Sequence, residues 1–325
     1  FEVMRRAMGF TMNWNAHIAT RQHLRTTENA SFWVAEESPK WGRKRIVGYA
    51  RSLVREGFWN LNEFFIAPEY QRRGIGTGLL TQCLDDGARF GAHTHFVLAS
   101  QHFGADALYM RAAGCFPRVP MVLMAGSLGA LPSPPQQESA ILDSALPALR
   151  PVLTFFSFPH FAQQEPLCAD PIVLTPEIQA EIDALDRAIV GYARPQEHRH
   201  WANQMGGAKG VARLFRKASA GSSGAIVGYG YMSTHTSGPV LAVEQTDLPR
   251  MTAHLALLQR TLVPRDELIF FTEHDHFLAL TGTNDLMLKW LLDCGWRIAY
   301  NYLLMSSRDF GQFKNYICHN PLYMP

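Results

Sequence analysis

Short apolar runs bounded by polar turns recur through the first third of the chain. Ser31–Glu36 (SFWVAE), Ile46–Val54 (IVGYARSLV), Asn60–Ile66 (NLNEFFI), His95–Ala99 (HFVLA) and Phe116–Ala125 have the length and the β-branched or aromatic content of strands. Pro117 and Pro120 fall at the start of the last one, where a missing ladder donor is tolerated. Pro39–Arg45 is a polar, basic turn. From Gly74 the period changes: Ile75, Leu79, Cys83 and Leu84 share one face at helical spacing, and Ala105–Ala113 reads as a second helix. Residues 1–30 read as loosely helical, with Met4, Met8, Phe10 and Trp14 among Arg and Asn. The predicted order is three antiparallel-type strands, helix, strand, helix, strand.

Leu131–Gln137 (LPSPPQQ) is an extended spacer and marks a domain boundary, because Pro with Ser and Gln favours neither helix nor sheet. Beyond it the first pattern returns. Ile226–Tyr229 repeats Ile46–Tyr49 at a separation of 180 residues. Leu292–Trp296 repeats Ala112–Phe116 about a glycine 181 residues on, and the closing strands reach Met124 and Met305, again 181 apart. Landmarks that hold one spacing predict two copies of one fold. In the second copy Pro176–Met205 is a helical lead-in with Ile178, Ile182, Leu185 and Ile189 on one face, and Gly238–Val243 corresponds to the strand Asn60–Ile66.

Composition narrows the classes. A chain of 325 residues, 47% of them hydrophobic, can build two cores. A formal net charge of +2 argues against a dedicated nucleic-acid binder. No apolar run approaches the ~20 residues of a membrane span, so no membrane partner is expected. The 5 cysteines, odd in number and without a CxxC pair, fit a reduced, cytoplasmic protein better than a disulfide framework. His93 and His95, Glu197–His200 and Glu273–His276 lack the helical i, i+4 pair of a zinc protease; they read as surface or cleft histidines, and no metal is expected.

The candidate chemistry lies in Leu61–Phe90. Gly74, Gly76 and Gly78 sit where the helix starts and leave its first N–H groups uncovered. A helix N-terminus presents unpaired donors and partial positive charge, glycine lets a phosphate come close, and Arg72 and Arg73 add charge. The segment is therefore a strand–loop–helix anion cradle. It is neither a Walker loop, since no Lys follows the glycines, nor a dinucleotide fingerprint, since Gly78 follows Gly76 by two residues rather than three. In the second copy, Glu244–Pro249 (EQTDLP) has lost the glycines and both arginines. Asp247 or Thr246 caps that helix and Pro249 opens it, which puts a carboxylate where a phosphate would sit.

Gln71–Gly76 (QRRGIG), directly after a strand ending Phe65-Ile66-Ala67-Pro68, resembles motif A of the GNAT acyltransferases. Leu108–Cys115, with Tyr109 five residues before Gly114, resembles their motif B, except that Cys115 takes the place of the usual Phe and Phe116 follows. The whole chain resembles tandem acetyltransferases with an intact N-terminal copy and a degenerate C-terminal one. The resemblance implies an α/β (α+β) fold of two tandem GNAT-like domains, each a mixed, mostly antiparallel sheet flanked by helices. The expected divisions are a GNAT domain at 1–128, a Pro-rich linker at 129–150, a degenerate domain at 151–310 and an aromatic tail at 311–325. The family's first strand has no candidate here and is expected upstream of Phe1.

The resemblance further implies acetyl-CoA as co-substrate and direct attack on its thioester by an amine of a small molecule or peptide. Phe65, Ile66 and Ala67 would hold the pantetheine arm through main chain, with the Ile66 N–H polarising the thioester carbonyl. Gln71, Arg72, Arg73, Gly74, Ile75, Gly76, Thr77 and Gly78 would hold the pyrophosphate. Tyr109 would protonate the thiolate, since a phenol of pKa ~10 is protonated at neutral pH. Glu63 is the expected base, ahead of Glu56 and Asn62. Leu291 falls where Tyr109 falls in the first copy, so the second is expected to be catalytically silent. Two other classes fit the same residues: a coenzyme-binding regulatory or scaffold module without turnover, and transfer of another acyl group or to a thiol or hydroxyl. The aromatic tail, with Phe310, Phe313, Tyr316 and Tyr323, is expected to seal a core between the domains or to make a homodimer contact; monomer and homodimer both remain open.

Overall fold

The computed structural model describes residues 22–38, 40, 42–100, 102–132, 152–154, 165, 167–205, 210–218, 224–233, 237–262 and 276–318. Most of the N-terminal helical segment, most of the 131–137 spacer, the Glu273–Asp275 stretch and Tyr323 lie outside the described residues. In chain order the main elements are β1 (Ala30–Glu37), β2 (Arg45–Arg55), β3 (Phe58–Ile66), α1 (Ile75–Arg89), β4 (Thr94–Ala99), α2 (Phe103–Ala113) and β5 (Phe116–Gly126). There follow β6 (Val152–Thr154), β7 (Leu167–Pro171), α3 (Pro176–Ile189), α4 (Pro195–Met205), β8 (Gly210–Lys217), β9 (Ile226–Ser233) and β10 (Ser237–Ala242). The chain continues with α5 (Leu248–Leu262), β11 (His276–Thr281), α6 (Asp285–Asp293), β12 (Arg297–Ser306) and β13 (Tyr316–Cys318). The predicted order of the first copy is met, with each strand a residue or two longer.

These elements form two compact units. The first comprises the chain up to Pro120 with Tyr302–Asp309; the second comprises Met121–Asn301 with Phe310–Asn320. In the first, β1, β2 and β3 are antiparallel, β3 and β4 are parallel, and Leu303–Ser306 of β12 pairs antiparallel with β4. Helices α1 and α2 bury Leu79, Leu80, Cys83, Tyr109 and Ala113 against Ala50, Val54, Trp59 and Leu61. Gly87 is required by this packing: a Cβ there would lie 2.5 Å from Trp59, whose indole donates to the Cys83 carbonyl at 3.0 Å.

In the second unit the strand order runs β5, β11, β13, β10, β9, β8, β7, β6, and every neighbouring pair is antiparallel. Its apolar core includes Leu248, Met251 and Leu255 of α5 with Val211, Phe215, Met232 and Val240 of the sheet. The sequence reading missed two arrangements. The closing strands are exchanged, since Met121–Gly126 pairs with β11 and Leu303–Ser306 pairs with β4. The tail also supplies β13, which inserts between β10 and β11.

The second unit also encloses a polar network. Arg194 grips Asp186 through Nε to Oδ2 (2.9 Å) and Nη2 to Oδ1 (2.8 Å), and donates to the hydroxyls of Tyr229 (2.8 Å) and Tyr316 (2.5 Å). His198 Nε2 lies 3.0 Å from Asp186 Oδ2, and its Nδ1 lies 3.0 Å from the Tyr231 hydroxyl. Asp186, Arg194, His198, Tyr229, Tyr231 and Tyr316 are all buried. The reading of His198 as a surface or cleft residue is thus corrected: it is a core histidine, because the helical face that buries Ile182 and Ile189 also carries Asp186 and draws in polar partners. Among the described residues no cluster of His, Cys, Asp and Glu could hold a metal ion, and no helix is long and apolar enough to cross a membrane.

Candidate functional site

Helix α1 starts at a left-handed Gly74 (φ 82°) with no side chain capping it. The first intrahelical bond of this turn runs from Gly78 N–H to Gly74 O (3.0 Å), which leaves the preceding N–H groups at the helix end for another acceptor. Gly74 and Gly78 are exposed, and a Cβ built at either meets nothing within 4 Å. Packing therefore does not demand glycine at Gly78; the bare backbone leaves room for a ligand group. Gly76 differs, since a Cβ there would lie 3.2 Å from the Phe64 ring and 3.6 Å from Leu108, so this glycine lets α1 approach β3 and α2 closely.

The loop before α1 is tied down. Gln71 Nε2 donates to the Ile66 carbonyl (3.2 Å) and Tyr70 OH to Glu37 (2.5 Å). Arg73 folds back to the Glu69 carbonyl (2.8 Å) and over the Tyr70 ring (5.1 Å). Arg72 is exposed in a left-handed conformation (φ 61°), and Thr77 is exposed on the first turn of α1 beside the partly buried Ile75.

Strand β3 opens next to this helix end. It pairs with β4 only over Phe58–Leu61, and at Asn62 its register with β2 shifts, Arg51 facing Glu63 but Ser52 facing Leu61. A bulge increases local twist and bends the strand that carries it, here where β3 and β4 part. Beyond the bulge Ala67 N–H donates to Val47 O (2.9 Å), and the register continues through Ile66↔Gly48 and Phe65↔Tyr49. Antiparallel ladders alternate their bonding direction. Phe65 and Ala67 therefore spend their N–H groups on β2, whereas Phe64 and Ile66 direct theirs to the edge that β4 has left. Of the three main-chain residues singled out from sequence, Ile66 is the one whose N–H faces the opening.

Tyr109 projects from α2 and packs edge-on against Phe64 (centroids 5.9 Å). Burial, then the nearby Asp106 carboxylate, pushes its phenol well above the usual tyrosine value, so it is a protonated donor across the neutral range. Gly114 (φ 64°) ends α2 with its N–H on the Tyr109 carbonyl, which fixes the backbone below the phenol. Glu63, 3% exposed, is bound by Arg51 Nε at 2.9 Å, and Arg51 lies over the Phe32 ring at 4.6 Å. The structure thus brings Gly74–Gly78, Ile66 and Tyr109 onto α1, α2 and the open end of β3, with Glu63 beside the bulge in a buried ion pair. Asp106 lies one turn before Tyr109 on α2.

The second unit differs at each corresponding place. The residue before α5 is Asp247, buried between Lys217 Nζ (2.7 Å) and Arg250 Nη1 (3.0 Å). Leu291 is buried in the apolar core. Where β3 stands open beside β4, β10 and β11 enclose β13: Ile317 pairs with both Val240 and Leu280. Asn315 Nδ2 donates to the Ala242 carbonyl (3.0 Å), as Gln71 does to that of Ile66.

Residues 4–114 match the acetyltransferase (GNAT) family. Among solved structures, a protein from Pyrococcus horikoshii provisionally described as an acetyltransferase is similar over 97% of this chain and 87% of its own (TM-score 0.63, 13% identity). A tandem GNAT protein from the clavulanic acid biosynthesis pathway covers 94% of this chain and 92% of its own (TM-score 0.56, 15% identity). A glucosamine N-acetyltransferase region of a fungal multi-domain β-N-acetylglucosaminidase covers 94% of this chain but 36% of its own (TM-score 0.58, 13% identity). None of the curated proteins compared matches the sequence. At these identities the structural likeness speaks for the fold.

Proposed function

Since this chain carries a GNAT-family acetyltransferase domain at residues 4–114 and has a tandem GNAT fold, we propose that it transfers an acetyl group from acetyl-CoA to an amine of a small molecule or peptide in a ternary complex. The observation that supports this best is the exposed, glycine-lined start of α1 beside the unpaired edge of β3. In this reading the pyrophosphate lies on the N–H groups of Gly74–Thr77, with the bare Gly78 leaving room beside them, Arg72 and Arg73 adding charge and Gln71 bracing the loop. The pantetheine arm runs along β3 between Phe65 and Ala67, and the Ile66 N–H polarises the thioester carbonyl. The amine attacks that carbonyl, the C–N bond forms, the C–S bond breaks, and Tyr109 donates a hydrogen bond to the departing sulfur. Glu63, buried with Arg51, reaches the amine through a bridging water and takes its proton. The site is cytoplasmic in this reading, as the free cysteines suggested.

The second unit binds no coenzyme in this reading. Asp247 holds the phosphate position and β13 fills the place of the arm. Titration calorimetry is therefore expected to give one CoA per chain; two would overturn this part. Gly78→Glu sets a carboxylate at the cradle, where Gly78 has open space and a helical backbone. It is expected to weaken CoA binding roughly 30-fold, about 2 kcal/mol, with an unchanged or higher Tm because Glu is the better helix former.

Release of free CoA thiol, assayed across a panel of amines and peptides with mass analysis of the product, tests the activity. Thiol release with an acetylated amine as product supports it. Tight CoA binding without release for any acceptor points instead to a coenzyme-binding module, and an acylated thiol or hydroxyl to the other chemistry.

A further inference from the structure

The sheet of the first unit has a second face, turned away from α1 and α2. Ala35, Ala50, Val54, Phe64 and Ile66 pack toward those helices, and the Trp33 indole donates to Asp86 of α1 at 2.7 Å. Side chains alternate along a strand, so Phe32, Val34, Tyr49, Arg51, Glu63 and Phe65 share the opposite face. Their register sets them in cross-strand rows: Phe32 beside Arg51 beside Glu63, and Val34 beside Tyr49 beside Phe65. In the first row Arg51 Nε binds Glu63 at 2.9 Å and the Phe32 ring covers the guanidinium at 4.6 Å. In the second, Phe65 and Tyr49 meet at 5.5 Å between ring centroids, and Tyr49 reaches across to Phe32 at 5.8 Å. The strip opens to solvent at its outer end, where Phe32 is 53% and Val34 46% exposed.

This strip runs unbroken from Glu63, and Phe65 stands on the stretch of β3 that β4 leaves. An amine that gives its proton to Glu63 through water therefore extends over Phe65, Tyr49 and Phe32. The chemistry of that surface selects among amines. Its carboxylates are engaged: Glu63 by Arg51, Glu36 by Lys44 at 2.9 Å, and Glu37 by the Tyr70 hydroxyl at 2.5 Å. A polycation would give up hydration here and find no carboxylate to replace it. A flat apolar group gains burial and ring contacts instead. Resting on the acetyl-transfer reading with Glu63 as base, we propose that the acceptor is a monoamine of the arylalkyl type, its aromatic group laid on the Phe65–Tyr49–Phe32 strip, with Phe32 and Val34 setting the specificity.

The test measures kcat/KM, from release of free CoA thiol, with phenethylamine, n-butylamine and spermidine as acceptors. The native protein is expected to prefer phenethylamine about tenfold over each of the others. Phe32→Leu, which keeps an apolar cover on Arg51, should narrow that preference about threefold, chiefly through KM. Val34→Glu sets a carboxylate on the exposed end of the strip and should raise spermidine relative to the aromatic amine. Equal or better use of n-butylamine or spermidine by the native protein overturns the inference alone. A preference unchanged in either variant places the aromatic group elsewhere and also overturns it. CoA binding without thiol release for any amine overturns acetyl transfer itself, and this inference with it.

Discussion

Asp186→Ala is expected to destabilise the second unit by about 3–5 kcal/mol, read as a fall in denaturant midpoint with a near-constant m-value. The reason is what remains. Arg194 is buried, and its bidentate carboxylate would be gone, leaving a guanidinium facing phenols and the Trp201 ring. Removing one partner of a buried pair costs far more than replacing both. Arg194→Met should therefore cost a similar amount, and Asp186→Leu with Arg194→Met clearly less than the two single losses combined, a coupling that a double-mutant cycle measures. Additive losses would show that the pair is not the source. The pH dependence has a definite sign. Burial by itself would raise the Asp186 carboxyl, but Arg194 and then His198 hold it well below the usual aspartate value. A depressed folded pKa gives stability that is fully present above the unfolded value near ~4 and is lost as pH falls toward the folded one. Native stability should decline with acid below pH ~4 more steeply than that of the double variant.

Tyr109→Phe is expected to lower kcat about 100-fold while CoA affinity changes less than about threefold, because the lost hydrogen bond matters most when charge develops on sulfur. The elevated phenol pKa sharpens the role. A thiol titrates near ~8.5, well below this phenol, so complete proton transfer from Tyr109 to the thiolate is uphill. In the proposed reaction Tyr109 would therefore stabilise the departing sulfur by donating a hydrogen bond, and the proton that neutralises the sulfur would be the one Glu63 takes from the amine, passed on through solvent. Since burial raises the Tyr109 value above 10.0, kcat should show no descending alkaline limb from this residue up to pH 10. A Phe variant with native kcat, or an alkaline limb near pH 9 that the Phe variant abolishes, would remove Tyr109 from this role.

Much of the candidate site could be read from sequence because its signals are local. The cradle is a strand, a loop and a helix start within Leu61–Phe90, and each part rests on short-range chemistry: aromatic and β-branched runs, Pro68, bare glycines, a 3.6-residue apolar period. Tyr109 was legible for the same reason, five residues from a helix-ending glycine. Glu63 was only half legible. Its strand was evident, but the pairing with Arg51 depends on the register between β2 and β3 and on the bulge at Asn62, which no alternation pattern marks.

The sequence by itself determined the order of strands and helices in the first copy, the repeat of that pattern some 180 residues later, and the loss of the glycine-lined helix start in the second. Those are statements about neighbours along the chain, where sterics and periodicity act directly. Tertiary structure alone decided that Leu303–Ser306 closes the sheet beside β4, that Met121–Gly126 pairs with β11, and that a three-residue strand of the tail enters between β10 and β11. Backbone hydrogen bonds carry no side-chain code, and any strand of suitable length and apolar character satisfies an open edge. Which one does so is settled by the packing of both faces at once, and among the described residues that packing leaves the end of β3 beyond Leu61 unpaired with β4.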